Sequence, residues 1–516
     1  MLKWASIVNS QSIKTRFLAS LFVNISRLGL SFISGMIIAR ELEPSGYGNF
    51  NFLLASFASI ITLLDMGTSS AFYTFLSQKK RSIIFYYYYF TWLAIELLIA
   101  IFIIGILLPE SWQTKIWLGH PRGTIILALL ASFTMNNIWK TVTQAGESIR
   151  ATVIVQLYNI IIAGLYLCIV VALILFHNLT IKILFEVIFL QNLIFSFILA
   201  VRLKNNLIKI EKTKDVKFQN IFREFKIYCT PIFILNIVGF GYQFADTWLL
   251  QKFGGAVQQG FYSVGQRFSS ICLIATTSIL SVFWKEIAEA NALVNKERLY
   301  NLYNKISRSL CFISAIGACF LIPFSKEILV LTLGAKYEAA WLCTAIMFLY
   351  PIHQSLGQIN GSYLYATTET KVYSRVNIIM MTVSMPITYF ILASPSALVP
   401  GLGLGSIGLA LKMVILQIII VNLFSYIICK SSKWKFDFLY QFKIIGVLLI
   451  ASFLIKSFLN WIFHIIKFSF HPLVLIIFSI PLYLLLVGLS IYKFPYLSGI
   501  ERRYLIRLKN VFNGSF

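Results

Sequence analysis

Charge is scarce in this chain: Asp, Glu, Lys and Arg make up 12% of its 516 residues, whereas soluble domains carry about one quarter. That scarcity excludes a sizeable water-soluble domain. Nucleotide and metal motifs are missing as well. There is no GxxxxGK followed by Ser or Thr, no HExxH and no paired CxxC, so ATP is not expected as the direct energy source, and no catalytic residue, metal or cofactor is assigned. Cysteine is sparse. Cys168, Cys229, Cys272, Cys311, Cys319, Cys343 and Cys429 lie in or beside apolar runs with no paired spacing in an outer segment, and read as small core residues. Long polar segments are also few.

What is present is apolar sequence in long runs. Hydrophobic residues make up 58% of the chain, and a helix needs about 20 of them to cross a hydrocarbon core of about 30 Å. The expected architecture is an all-α membrane protein of fourteen transmembrane helices at 17–39, 49–76, 83–108, 124–145, 152–176, 181–201, 227–250, 261–284, 309–324, 340–365, 373–393, 402–429, 442–463 and 472–492. The N-terminal apolar run is too long for a signal-peptide core and no small-residue cleavage site follows, so helix 1 is read as retained.

The basic residues then sort by side. Of 44 Lys and Arg, 31 fall in alternate connections, at their span borders and in the two termini, against 8 in or at the borders of the opposite loops; by the positive-inside rule both ends of the chain are cytoplasmic. A net charge of +25 would suggest nucleic acid for a soluble chain, but this charge borders membrane spans and suits anionic lipid headgroups. No nucleic-acid partner is expected.

The longest polar stretch, 202–226, follows the sixth helix and reads as a cytoplasmic linker. The expected organisation is an N-lobe at 1–201, the linker at 202–226, a C-lobe at 227–429, and helices 13 and 14 with a basic tail at 430–516. A short internal repeat supports two six-helix lobes: a shift of 212 residues puts Arg40 on Lys252, Gly48 on Gly260 and Phe50 on Tyr262, each copy in the outer loop between the first two helices of its lobe.

Ionisable residues inside a bilayer are expensive, about 2.5 to 3.5 kcal/mol each on insertion scales, and mark function by default. Lys140, Glu186, Asp246, Arg267 and Lys456 lie close enough to span ends to act as interface anchors. Arg27, Glu96 and Lys412 sit near mid-helix. Arg27 and Glu96 either pair with each other or face a wet lumen, while Lys412 has no acidic partner evident at its depth and suits an anionic ligand. Asn136, Asn137 and Lys140 form a polar stripe on helix 4. The substrate-cavity set is therefore Arg27, Lys412, Arg267, Lys140, Asn136 and Asn137, and Asp65, Glu96, Asp246 and His353 are assigned to ion coupling or gating.

Residues 26–67 carry a recognisable pattern: Ala39-Arg40, Leu42-x-Pro44, Tyr47-Gly48 and Asp65-x-Gly67. This stretch resembles the opening of Wzx-type polysaccharide flippases, in the polysaccharide-transporter branch of the multidrug/oligosaccharidyl-lipid/polysaccharide exporter superfamily. The Gly usual before the Pro is here Glu43. Pro231, Asp246 and residues 254–268 fit the second half of the same pattern. The resemblance implies a MATE-like pair of six-helix lobes in the bacterial inner membrane and a transporter rather than an enzyme. It further implies movement of undecaprenyl-diphosphate-linked oligosaccharide to the outer leaflet, by alternating access through a cationic cavity. Membrane lipids and other polysaccharide assembly proteins are its implied partners. A multidrug exporter or lipid II flippase of the same superfamily is the rival within the fold. A membrane polymerase or ligase is the rival outside it, disfavoured because every outer loop is short.

Overall fold

The computed structural model describes residues 13–207, 218–273, 296–466 and 471–499, with a few positions between 283 and 293, and among these it contains helices and no β-strand. The middle of the 202–226 linker, the end of the eighth expected span, the start of the 285–308 segment and the tail beyond 499 lie outside the described residues. Ten helices are long and apolar enough to cross a membrane, or eleven if Lys296–Leu321 and Ser325–Leu333, bent by 71°, count as one span. The all-helical membrane class stands; the count of fourteen is not reached by that measure.

Two physical reasons account for the shortfall. The first is that α1 (Ile13–Asp65) and the long helix Phe218–Ser270 each run through an outer turn at which a single residue leaves helical geometry, Glu43 (φ 58°, ψ 173°) and Gly255 (φ 75°, ψ 178°). Each therefore joins one expected span to the first part of the next, and the expected span 49–76 breaks at Met66 and Gly67 before the helix Thr68–Gln78. The second is that the expected span 340–365 is split into Trp341–Met347 and Tyr350–Ala366, with Pro351 in the first turn of the latter, where a missing N–H is tolerated.

The chain packs as two compact units, one ending at Gly260 and the other beginning at Phe261. In the first, α1 lies along α5 (Thr152–Leu175), and α3 (Arg122–Phe133) packs on α6 (Ile181–Leu207). α2 (Ile83–Phe102) and α3 each end in a π-helical turn, Ile103–Leu107 and Thr134–Trp139. One extra residue per turn rotates the following side chains, a device that recurs at functional sites. α4 (Lys140–Ser148) continues from the second π-turn, and the long helix Phe218–Ser270 is α7. In the second unit, α8 (Lys296–Leu321) and α10 (Gly405–Ser432) both pack against α9 (Tyr350–Ala366). α11 (Leu439–Ile465) and α12 (Pro472–Lys493) leave Ile450, Leu454, Trp461, Leu484 and Leu485 exposed, apolar faces that only lipid can cover.

The 212-residue repeat has a structural counterpart inside the first unit. A Cβ on Gly48 would stand 1.8 Å from the Ala256 carbonyl oxygen, and one on Gly260 would stand 2.1 Å from the Pro44 carbonyl oxygen. The shift that maps Gly48 onto Gly260 also maps Pro44 onto Ala256 and Glu43 onto Gly255. The two outer turns therefore meet reciprocally, as surfaces related by a two-fold axis do. A hydrogen bond from Gln251 Nε2 to Asn49 Oδ1 of 2.8 Å adds to the contact.

Candidate functional site

The polar residues of the first unit gather where α1 ends. Asp65 is its last residue; Met66 (φ 48°) and Gly67 (φ 88°) then turn the chain through left-handed geometry into the helix Thr68–Gln78. The Asp65 carboxylate accepts from the Ser69 amide at 2.9 Å, from the Ser69 hydroxyl at 3.0 Å and from the Thr68 hydroxyl at 3.2 Å. This is the work of a helix-capping side chain. It gives a physical account of the Asp-x-Gly pattern: Gly supplies the left-handed backbone and Asp satisfies the amide freed by the turn.

Ser69 in turn accepts a long bond, 3.5 Å, from Lys140 Nζ. The structure thus brings together Asp65 and Lys140, two of the sequence-derived candidates, through a serine that sequence reasoning passed over. Its signal was available, since a hydroxyl four residues beyond an Asp that closes a helix is a ready capping partner. Asn136 and Asn137 ride on the π-turn before Lys140, and each has a buried side-chain amide nitrogen without a hydrogen-bond partner. Beside Lys140 on α4, the Thr141 hydroxyl stands 3.4 Å from the Tyr89 hydroxyl of α2.

Glu96 is 4% exposed, and neither carboxylate oxygen meets a hydrogen-bond partner among the described residues. The expected alternative in which it pairs with Arg27 is not realised: no ion pair joins them, and Arg27 Nε is itself buried without a partner. Helix rotation decides such a pairing, and depth alone does not. Asp246 is buried and engaged by other groups, as is the half-buried Arg267. Outside the spans, burial holds the imidazole of His120, which stacks on Phe52, below its ordinary pKa.

In the second unit Lys412 is 2% exposed and takes part in an interaction within the protein. His353 is 1% exposed, with neither ring nitrogen hydrogen-bonded. At the next residue and two turns further on, two polar ties join α9 to α10: Gln417 donates to Gln354 at 2.9 Å, and Asn360 donates to Ser425 Oγ and the Val421 carbonyl, both at 3.0 Å. Lys456 is tied down, bonding Glu327 and the Pro323 carbonyl. Among the described residues no three His, Cys, Asp or Glu side chains are grouped to hold a metal ion.

These features define a class: a polytopic helical membrane protein with polar side chains buried along its helices. Comparison with known proteins narrows the class. Residues 14–284, more than half of the chain, match the family described as polysaccharide biosynthesis protein. A Klebsiella pneumoniae protein described as an uncharacterized membrane protein in the cps region is 21% identical over 384 residues, covering 70% of this chain and 72% of that one. Among solved structures, the lipid II flippase MurJ in an inward closed conformation is similar, with a TM-score of 0.65 and 18% identity over 92% of this chain and 99% of that one. An inward-facing multidrug resistance MATE family transporter of the MOP superfamily is similar at a TM-score of 0.54 and 13% identity, over 79% and 95%.

The chain belongs to the polysaccharide biosynthesis protein family. Its family and its place in a membrane as a multi-pass helical protein agree with the sequence reading.

Proposed function

We propose that this protein carries an undecaprenyl-diphosphate-linked oligosaccharide from the inner to the outer leaflet of the bacterial cytoplasmic membrane by alternating access. The observation that carries the reading is the family match over 14–284, joined to a cation at mid-span in each unit, Arg27 in the first and Lys412 in the second. A diphosphate is an anion that a guanidinium grips with two parallel bonds and an ammonium with a point charge. Arg267, Lys140, Asn136 and Asn137 complete the set for the diphosphate and the sugar hydroxyls. Asp65, Glu96, Asp246 and His353 serve ion coupling or gating, and Glu96 and His353 suit this best because each is buried with unpaired polar atoms.

The test is complementation. In a strain lacking its own oligosaccharide flippase, this chain restores surface polysaccharide, and Arg27→Ala or Lys412→Ala lowers it to about a tenth or less, as expected when one charge-assisted contact is lost. Normal glycan display in both variants, at normal protein level, sinks the cationic assignment.

One observation favours a second reading. The first unit also buries an acidic group, Glu96, without a cation on it, which would suit a cationic drug and an ion-coupled multidrug exporter. Growth of a drug-hypersensitive host, with no gain over empty vector, disposes of that reading. Failure to rescue cells depleted of their lipid II flippase separates the proposal from a lipid II carrier.

A further inference from the structure

The first unit contains an apolar cavity of about 420 Å³, within the range of small-ligand sites, roughly 300–1,000 Å³. Its walls are aromatic: Tyr88, Tyr89 and Trp92 from α2 face Phe218, Phe222 and Phe225 from α7. Both segments begin at basic borders, Lys79-Lys80-Arg81 before α2 and the 202–226 stretch before α7, so the cavity lies at the depth of the inner leaflet. Phe218, Phe222, Phe233 and Trp92 remain exposed around it. Exposed aromatic surface at that depth is covered by hydrocarbon.

The charged side chain among the lining residues is a cation, Lys226, set between Phe222 and Phe233 along α7, with Arg223 one turn away. The one acidic side chain in 218–233, Glu224, is committed to Arg81 at 2.9 Å, and the Arg81 guanidinium lies over the Phe75 and Phe85 rings at 5.3 and 5.0 Å. Asp65, beside the lining Thr68, is held by the Thr68 and Ser69 hydroxyls, so Lys226 is the one charged side chain among the described lining residues. An apolar slot with one cation in its wall matches a single hydrocarbon chain bearing a phosphate.

Resting on the function proposed above, we infer that the cavity between α2 and α7 holds the phosphate-proximal part of a polyprenyl chain, with Lys226 facing the phosphate. The flat, methyl-bearing alkene units of such a chain present faces that lie against aromatic rings, which fits this lining better than a saturated acyl chain does. Along α2 the next residue on the Tyr89 and Trp92 stripe is Glu96, so a chain seated there lies one turn from the buried carboxylate.

The experiment uses the full chain in nanodiscs and a diazirine-bearing polyprenyl phosphate, with the labelled peptides mapped by mass spectrometry. Labelling is expected on α2 and on 218–233, competed by unlabelled undecaprenyl phosphate and not by phosphatidylglycerol. Trp92→Ala with Phe222→Ala lowers that labelling by about ten-fold or more, since two buried rings are removed. Lys226→Gln weakens competition by the phosphate about three- to ten-fold and leaves competition by uncharged polyprenol unchanged. Labelling confined to other helices, or equal competition by phosphatidylglycerol, overturns the inference. Complementation of the flippase-deficient strain is read in parallel: rescue without cavity labelling fails the inference alone, and cavity labelling without rescue fails the function alone.

Discussion

The outer turn at Glu43 and the outer turn at Gly255 share a backbone and differ in the residue that makes it. Both leave the helix at φ near +60° to +75° with ψ near 175°, a region that is almost the preserve of glycine. Gly255 has open space around it, so its constraint is conformational alone; Gly48 and Gly260 face a carbonyl oxygen of the opposite turn, so theirs is spatial. Glu43 breaks the conformational rule, a non-glycine residue at positive φ. The spatial rule is kept in both turns. The close approach of the two turns is thus the stricter requirement, and the bend itself tolerates a poor residue.

Five substitutions test that ranking. Gly48→Leu and Gly260→Leu place a side chain on a backbone oxygen that cannot yield, and each is expected to destabilise by about 3 kcal/mol or more. Both are read as melting-temperature losses in detergent and as lost glycan display. The two losses should be similar; tolerance of one alone breaks the reciprocal contact. Gly255→Ala is smaller, about 1–3 kcal/mol, because only the backbone region is wrong for it. Removing the Gln251 amide with Gln251→Ala weakens the turns by about 1 kcal/mol, the worth of one ordinary hydrogen bond. Glu43→Gly is the smallest and has the opposite sign: relief of strain, less the added freedom of the unfolded chain, should raise the melting temperature slightly. A fall would mean that the Glu43 side chain contributes more than its backbone costs.

Much of this was legible beforehand because it rests on composition and spacing. Apolar run length, the sided lysines and arginines, and the 212-residue shift from Gly48 to Gly260 are all properties of a string of residues. What escaped depends on how helices rotate and where they break. The π-turn at Thr134–Trp139 has no compositional mark, yet it sets the direction of Asn136, Asn137 and Lys140. Arg27 and Glu96 were matched by position along their helices alone, and the pair does not form among the described residues. Lys456 read as an interface anchor because its partner Glu327 lies just beyond the expected ninth span. The cavity between α2 and α7 joins segments more than a hundred residues apart, beyond any local pattern.

Transfer itself is the most direct measurement. In liposomes that contain the purified chain and a lipid-linked oligosaccharide loaded in one leaflet, a glycan-modifying reagent confined to the other side should gain access at a rate that depends on the protein and falls with Arg27→Ala and Lys412→Ala. Access no faster than in protein-free liposomes, by folded protein that instead moves a cationic drug, would contradict the account.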